Sequence, residues 1–155
     1  HSFELDLSSQ VTFTIAGIQI LAWETPGHTI GHCCYYAPDF KILFCGDTLF
    51  SMGCGRLFEG SPKEMFASLA SIKKLPEDTL ICCTHEYTLS NLDFALSLWP
   101  LDPNLLNYRN SIQKLRESNK PSLPSELGIE LTLNPFLRAE TVEEFSRLRQ
   151  LKDQF

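Results

Sequence analysis

Three side chains with metal-binding chemistry each follow a separate apolar run of the sequence. His28 comes after residues 18–23, Asp47 after residues 41–45 and His85 after residues 79–83. Side chains at the ends of strands converge when those strands share one edge of a sheet. Two imidazoles and a carboxylate suit zinc or iron, and the two oxygens of Asp47 can bridge a pair of ions. Such a pair activates water and polarises a carbonyl, so the pattern indicates a hydrolytic metal centre.

Each of these residues also has an ordinary structural explanation when it is taken alone. His28 is then a satisfied structural histidine, His85 is a polar residue at a strand end, and Asp47 is a turn or helix cap. The metal hypothesis depends on the three occurring together. Pro26 and Gly27, directly before His28, favour a tight turn that aims its side chain from the sheet edge.

The elements that must position these residues change in character along the chain. Alternating or continuous apolar runs predict strands at residues 11–15, 18–23, 33–36, 41–45 and 79–83, the last of them buried on both faces. Helices are predicted from Ser61-Pro62 to about Lys74, from Ser90 to Leu98, from Pro103 to about Arg116 and from Thr141, where Glu144 is expected to complete a capping box. Residues 53–60 are predicted to be a glycine-containing loop, and residues 118–128 a linker. The expected class is α/β or α+β, with one unit over residues 1–89 and a helical region over residues 90–155.

Composition restricts the partners and the compartment. The formal net charge is −6 and the pI about 5.2, so the basic footprint of a nucleic-acid-binding protein is lacking. No apolar run approaches the roughly 18 residues that a membrane span needs, and no signal peptide is expected. The six cysteines form no CxxC pair, which favours buried reduced thiols and a cytoplasmic protein.

The order of three motifs resembles a known superfamily. Thr-Pro-Gly-His-Thr-Ile-Gly-His (25–32), Gly-Asp-Thr-Leu-Phe within residues 46–60, and Thr-His-Glu-Tyr-Thr (84–88) follow the motif order of the metallo-β-lactamase superfamily. The whole glycine-rich string 46–60, Asn-Pro-Phe-Leu-Arg (134–138) and the terminal Arg-Gln-Leu-Lys-Asp-Gln-Phe (149–155) are similar to glyoxalase II, the hydroxyacylglutathione hydrolase family. The resemblance covers nearly the whole chain.

This resemblance implies hydrolysis of S-D-lactoylglutathione to glutathione and D-lactate by two divalent metal ions, zinc with iron or manganese as alternatives. It implies that His28 binds the first ion, that Asp47 bridges both and is the catalytic residue, and that His85 binds the second. His32 matches a family histidine that is not a ligand, so it is expected to be structural. The implied fold is the C-terminal half of an αββα sandwich followed by a helical substrate-binding region.

The resemblance also implies the glutathione contacts, namely Arg56, Phe58, Tyr87, Arg149 and Lys152. Phe58 departs from the family pattern, which often has Tyr there, so one hydrogen bond to substrate is in doubt. Basic side chains are suitable partners for the carboxylates of glutathione. The alternative for Arg149 and Lys152 is a solvated helix end favoured by the helix dipole.

The family's first metal motif, His-x-His-x-Asp-His, does not occur in this sequence, whose four histidines are His1, His28, His32 and His85. We therefore expect a C-terminal portion of a longer enzyme, with weak metal binding and no useful hydrolysis on its own. We also expect an apolar sheet face that contacts the missing N-terminal half or a symmetry mate. The alternatives are another superfamily hydrolase, such as a lactonase or a persulfide dioxygenase, and a non-catalytic glutathione-binding module.

Overall fold

A mixed β-sheet with helices on one face accounts for most of residues 10–155, the part of the chain that the computed structural model describes. The strands are β1 Val11–Ile15, β2 Ile18–Glu24, β3 Cys33–Ala37, β4 Ile42–Gly46, β5 Leu49–Phe50, β6 Gly53–Cys54, β7 Leu80–Cys83 and β8 Ser125–Glu126. The helices are α1 Pro62–Ile72, α2 Thr88–Leu98, α3 Pro103–Glu117, α4 Leu127–Leu133, α5 Pro135–Arg138 and α6 Val142–Gln154. The predicted α/β class is confirmed.

The direction of the strands explains why the three predicted metal residues meet. The main sheet has the order β1-β2-β3-β4-β7-β8, and β5 and β6 form a separate hairpin. β2 and β3 are antiparallel, as are β3 and β4, whereas β4 and β7 are parallel. Strands β2, β4 and β7 therefore run in the same direction and end at one edge of the sheet.

The helices cover one face of the sheet because every second side chain points toward them. Tyr36 pairs with Leu43 and Leu43 with Ile81 across neighbouring strands, and all three are buried. These residues belong to a core cluster that includes side chains of α1, α5 and α6. Trp23 on β2 donates a hydrogen bond from Nε1 to Ser71 Oγ on α1, at 2.9 Å.

The opposite face of the sheet is apolar and open among the described residues. Tyr35 is 43% exposed, and Phe44, opposite it on β4, is 49% exposed. Val11 and Ile15 on the edge strand are exposed as well. The prediction that residues 79–83 are buried on both faces is wrong, because Leu80 lies on this open face.

Several boundaries and caps differ from the predictions. Ser61 and Glu64 form the expected capping box of α1. Thr141 caps α6, but the Glu144 carboxylate accepts from the Glu140 backbone N–H instead of completing a box with Thr141. Helix α2 begins two residues before the predicted serine cap. The predicted linker contains β8, and the predicted loop begins with β6.

The six cysteines are all free thiols, three of them buried and three half-buried. Burial raises the pKa of Cys34 and that of Cys54 to about 11, so both are neutral near pH 7. Among residues 10–155, no helix is long and apolar enough to cross a membrane. His1, one of the four histidines, lies outside the described residues.

Candidate functional site

A cavity of about 590 Å³ opens at the sheet edge where β2, β4 and β7 end. It contains all of the residues that the sequence singled out for metal or substrate binding. Its lining consists of His28, Asp47, Phe50, Cys54, Arg56, Phe58, His85, Tyr87, Ser90, Asn91, Arg149, Lys152 and Phe155. One cavity thus combines imidazoles, a carboxylate, three basic side chains and an aromatic wall.

Asp47 lies between the two histidines. Its Oδ2 is 3.3 Å from His28 Nε2, and its Oδ1 is 3.6 Å from His85 Nε2. The Thr84 hydroxyl donates a hydrogen bond to Oδ1. Each carboxylate oxygen therefore faces a different imidazole, which is the arrangement that a bridging carboxylate requires.

A backbone carbonyl fixes the protonation of His28. His28 Nδ1 lies 2.9 Å from the carbonyl oxygen of Arg56. A carbonyl can only accept, so Nδ1 carries the proton and donates it. In the neutral ring Nε2 then presents a lone pair toward Asp47, and this is how a partner on one nitrogen prepares the other for a metal ion.

His32 supports Asp47 through the backbone rather than through the cavity. Its Nε2 accepts a hydrogen bond from the Asp47 backbone N–H at 3.2 Å. Its Nδ1 therefore acts as the donor to Thr48 Oγ1, at 3.1 Å. Burial, and secondarily the nearby His28, lower the pKa of His32 and favour this neutral form. These contacts agree with the structural role expected for His32.

Glycine at position 55 allows the two site loops to approach each other. A Cβ at Gly55 would lie 2.0 Å from the carbonyl oxygen of Asp47 and 3.2 Å from His28 Nδ1. Any side chain at this position would therefore displace the loop that carries Asp47. Residues 53–60 also contact the loop that carries His28, because Phe58 N donates to His28 O at 3.1 Å.

The donor atoms suit a divalent metal ion, but their number is small. His28, Asp47 and His85 offer two nitrogens and two oxygens, which match the ligand types of zinc. In the described part of the chain, no three or more His, Cys, Asp or Glu side chains are placed so that they could hold a metal ion as a group. The imidazole nitrogens face the carboxylate rather than one common point, so the three residues supply only part of a coordination shell.

The three basic side chains of the cavity differ in their exposure to solvent. The Arg56 side chain is 63% exposed, whereas that of Arg149 is 5% exposed. Arg149 Nη1 donates to the carbonyl oxygen of Cys54 at 2.8 Å, and Nη2 lies 2.9 Å from Asp153 Oδ1. Asp153 also lies 3.6 Å from Arg56 Nε. Arg149 is therefore not a solvated helix end, because it joins α6 to strand β6.

Lys152 is a half-buried cation that lies near the charge of Arg149. Burial, and then the nearby Arg149 charge, lower the pKa of Lys152. Its ammonium group donates to the carbonyl oxygen of Ser90 at 3.3 Å and lies 5.2 Å from the ring centres of Phe94 and Phe155. A carboxylate entering the cavity would relieve the repulsion between the two cations.

Aromatic rings surround the histidines. Tyr87 stacks on His85 with ring centroids 4.8 Å apart, and Phe50 meets both rings from the side. Phe58 lies 5.0 Å from the His28 ring and is 69% exposed. Sequence reasoning did not single out Phe50, although it ends the Gly-Asp-Thr-Leu-Phe motif.

Other residues of the site were also missed from the sequence. Asp153 lies four residues after Arg149, a spacing that places the two on one face of a helix and was a usable signal. Thr84, directly before His85, belongs to one of the three motifs, but no role in the site was predicted for it. Asn91 and Phe155 carry no signal of their own, because their place in the cavity depends on how the helices fold back.

Comparisons with known proteins divide the chain near residue 85. Residues 5–85 match the family model described as the metallo-beta-lactamase superfamily. Residues 86–155 match the one described as the hydroxyacylglutathione hydrolase C-terminus. The hydroxyacylglutathione hydrolase of Pectobacterium atrosepticum is 49% identical over 132 residues, which are 85% of this chain and 52% of that protein. That of Cronobacter sakazakii is 49% identical over 159 residues, covering 92% of this chain and 62% of the relative.

The chain thus spans about half to three-fifths of the length of these curated relatives. Among solved structures, the BLEG-1 B3 metallo-beta-lactamase superposes with a TM-score of 0.55 at 26% identity, covering 83% of this chain and 46% of the other. ETHE1 from Myxococcus xanthus superposes with a TM-score of 0.63 at 22% identity, covering 90% and 48%. At that identity, the second likeness concerns the fold alone.

Proposed function

The chain belongs to the metallo-β-lactamase superfamily, and we propose that it is the C-terminal part of a metal-dependent hydroxyacylglutathione hydrolase. The proposed reaction is hydrolysis of S-D-lactoylglutathione to glutathione and D-lactate. One observation carries the proposal: the His28, Asp47 and His85 cluster shares a single cavity with Arg56 and Lys152. A thioester of glutathione has both a carbonyl for the first group and carboxylates for the second.

We propose that His28 and His85 each hold one divalent ion and that Asp47 bridges the two. Zinc suits these donors best, with iron or manganese as alternatives. When bound, the ions supply activated water and polarise the thioester carbonyl. The residues of this chain have separate duties. Arg56 O fixes the tautomer of His28, and His32 and Thr84 orient Asp47.

For the glutathione part of the substrate, we propose that Arg56 and Lys152 bind carboxylates. Arg149 borders the same cavity, and its contacts with Cys54 O and Asp153 support a role in holding α6 beside the metal cluster. The Tyr87 hydroxyl can donate a hydrogen bond to the peptide backbone of the substrate, whereas Phe58 offers only an apolar surface. We propose two units, a metallo-β-lactamase-like half over residues 1–89 and a helical glutathione-binding region over residues 90–155. Arg56, Phe58 and Tyr87 of the first unit line the same cavity as the residues of the second.

The ligand count supports the proposal that the remaining metal ligands belong to an N-terminal half. Three ligand side chains cannot complete two coordination shells of about four ligands each. The open sheet face, with exposed Tyr35 and Phe44, is apolar and suited to packing against a second sheet. We propose that the N-terminal half covers this face, and a symmetry mate is the alternative. The six free thiols support a cytoplasmic setting.

The test joins the N-terminal half of the Pectobacterium atrosepticum relative to this chain in a single polypeptide. We expect this chimera to release thiol from S-D-lactoylglutathione in the presence of zinc. We expect the chain alone to bind zinc weakly in calorimetry, to hydrolyse nothing at a useful rate and to self-associate in light scattering. Tight binding of two zinc ions by the chain alone would contradict the incomplete site, and a monodisperse monomer would contradict the need for a cover.

A matched pair of aspartate variants tests the bridging role. In the chimera, Asp47→Asn should abolish turnover because it removes the negative charge shared by both ions. Asp39→Asn is the control, since Asp39 is exposed and precedes β4, at the opposite end of that strand. Near-normal rates in Asp47→Asn would refute the role of this residue. Glutathione binding without turnover in the unmutated chimera would favour the non-catalytic module.

A further inference from the structure

The β5–β6 hairpin is held at its tip by side chains that come from distant helices. Met52 N, in the turn, donates to Glu130 Oε2 on α4 at 2.8 Å. The Asn134 side-chain amide donates to the carbonyl oxygens of Phe50 and Gly53, at 3.2 and 3.1 Å. The main-chain polar groups of a buried turn need such partners. Asn91 provides one more, since its side-chain amide donates to the carbonyl oxygen of Ser51 at 3.0 Å.

This turn has a conformation that depends on outside support. Met52 has a φ of +62°, a left-handed conformation that a residue other than glycine seldom adopts. It is also fully buried, so its N–H cannot turn to water. Glu130 and Asn134 are themselves fully buried, and Asn134 Nδ2 donates to Glu130 Oε2 at 2.9 Å. The two side chains therefore brace each other while they hold the turn.

The hairpin connects this buried pair to the candidate site. Phe50, at the end of β5, has its ring 5.9 Å from that of His85 and 5.4 Å from that of Tyr87. Cys54, at the end of β6, provides the carbonyl that accepts from Arg149. A shift of the hairpin would thus move the neighbours of a proposed metal ligand and of a cavity arginine together.

We propose that Glu130 is a positioning residue for this site, which it serves by fixing the hairpin through the Met52 N–H and the Asn134 amide. Glu130 touches neither the cavity nor the metal cluster. Its effect passes through the position of Phe50 against His85. The inference rests on the proposed function only where ligand binding is concerned.

The surroundings of the second carboxyl oxygen show which substitution should preserve the arrangement. Glu130 Oε1 is buried without a hydrogen-bond partner, and so are the hydroxyls of Ser51 and Ser125. Burial raises the pKa of Glu130, while the Met52 N–H and the Asn134 amide, and to a smaller extent the two hydroxyls, oppose that rise. A glutamine can place its carbonyl oxygen where Oε2 lies and its amide beside the hydroxyls. The hydrogen bonds, rather than the charge, should therefore be what matters.

The experiment compares Glu130→Gln and Glu130→Leu by NMR of the histidine and tyrosine rings in this chain. We expect the His85 and Tyr87 ring signals to move by more than their line widths in Glu130→Leu and to remain in place in Glu130→Gln. Leu69→Ala is the control, because Leu69 is also buried but lies on α1, in a core cluster separate from the one that contains Met52 at the hairpin tip. Unmoved His85 signals in Glu130→Leu, or equal movement in Leu69→Ala, would overturn the proposal.

A second variant keeps the test decisive if Glu130→Leu does not fold. Asn134→Ser retains an oxygen that can cap α5, where Asn134 now accepts from the Phe136 N–H. Serine is too short to reach the carbonyls of the hairpin, so the same ring signals should move. If they do not move, the hairpin does not depend on this pair and the proposal fails. A wild-type chain or chimera that fails to bind glutathione would count against the proposed function and leave the NMR result unaffected.

Discussion

Replacing Arg149 with methionine tests whether this arginine is a structural link or a solvated helix end. The substitution removes a charge-assisted hydrogen bond to the buried Cys54 carbonyl. Such bonds contribute about 1.5–3 kcal/mol. It also removes the contact of the guanidinium with the Phe136 ring, 5.0 Å away, worth about 0.5–2 kcal/mol. Asp153 is 40% exposed and can regain water, so its loss of a partner adds little.

These contributions are partly offset because a buried guanidinium no longer has to be desolvated. We therefore expect a net loss of about 2–3 kcal/mol in the free energy of unfolding. For a chain of this length, each kcal/mol lowers the Tm by about 2–4 °C, so the Tm should fall by about 4–12 °C. Thermal unfolding followed by far-UV circular dichroism measures this directly.

Arg147→Met is the matched control, since it removes the same side chain from the exposed face of the same helix. It should change the free energy of unfolding by no more than about 0.5 kcal/mol. Equal effects of Arg147→Met and Arg149→Met would refute the structural role, as would an unchanged Tm in Arg149→Met. Arg149 would then be available to substrate without any duty in the fold.

Two further predictions concern the cavity. Gly55→Ala should displace Asp47, because its Cβ would lie 2.0 Å from the Asp47 carbonyl oxygen, and Gly31→Ala is the control, because its Cβ would meet no atom within 4 Å. A large fall in Tm and a shift of the His28 ring signals in NMR are expected for Gly55→Ala alone. Similar spectra for both variants would contradict the close approach. Glutathione binding should be coupled to proton uptake by Lys152 at pH values below the usual Lys pKa of about 10.4, because the lowered pKa of Lys152 rises beside a carboxylate. Binding should therefore weaken as the pH rises. Calorimetry in two buffers of different ionisation enthalpy measures the uptake, which Lys152→Met should abolish; a heat that does not depend on the buffer would exclude Lys152 as the carboxylate partner.

The strands and the meeting of His28, Asp47 and His85 were predictable because their signals are local. Alternation of apolar residues located the main strands, and a histidine or aspartate after three of them indicated the shared sheet edge. The family resemblance drawn from the three motifs is confirmed by the two family matches and by the relatives at 49% identity. The common direction of β2, β4 and β7 was not predictable, because it depends on which strands pair and in which sense.

The predictions that failed concern structure that depends on distant contacts. The β5–β6 hairpin has strands of two residues each, too short for a periodic pattern, and a left-handed Met52 in its turn. Its turn is held by the side chains of Glu130 and Asn134, about 80 residues further on, and of Asn91, 40 residues further on. The two-sided burial predicted for residues 79–83 failed for a different reason. An apolar run shows that a strand can be buried, but not which faces of its sheet are covered by the described residues.

The candidate site is shaped from two directions, and this explains why the helical region cannot be a passive addition. The sheet edge supplies His28, Asp47 and His85, and their orientation comes from nearby loops. Helix α6 supplies Arg149 and Lys152 to the cavity and fixes the end of β6 through Arg149. Helix α4 fixes the hairpin beside His85. The proposed substrate contacts and the geometry around His28, Asp47 and His85 therefore share the same supports. A change at Arg149 or in α4 should also disturb the surroundings of these three residues, even though it touches none of them.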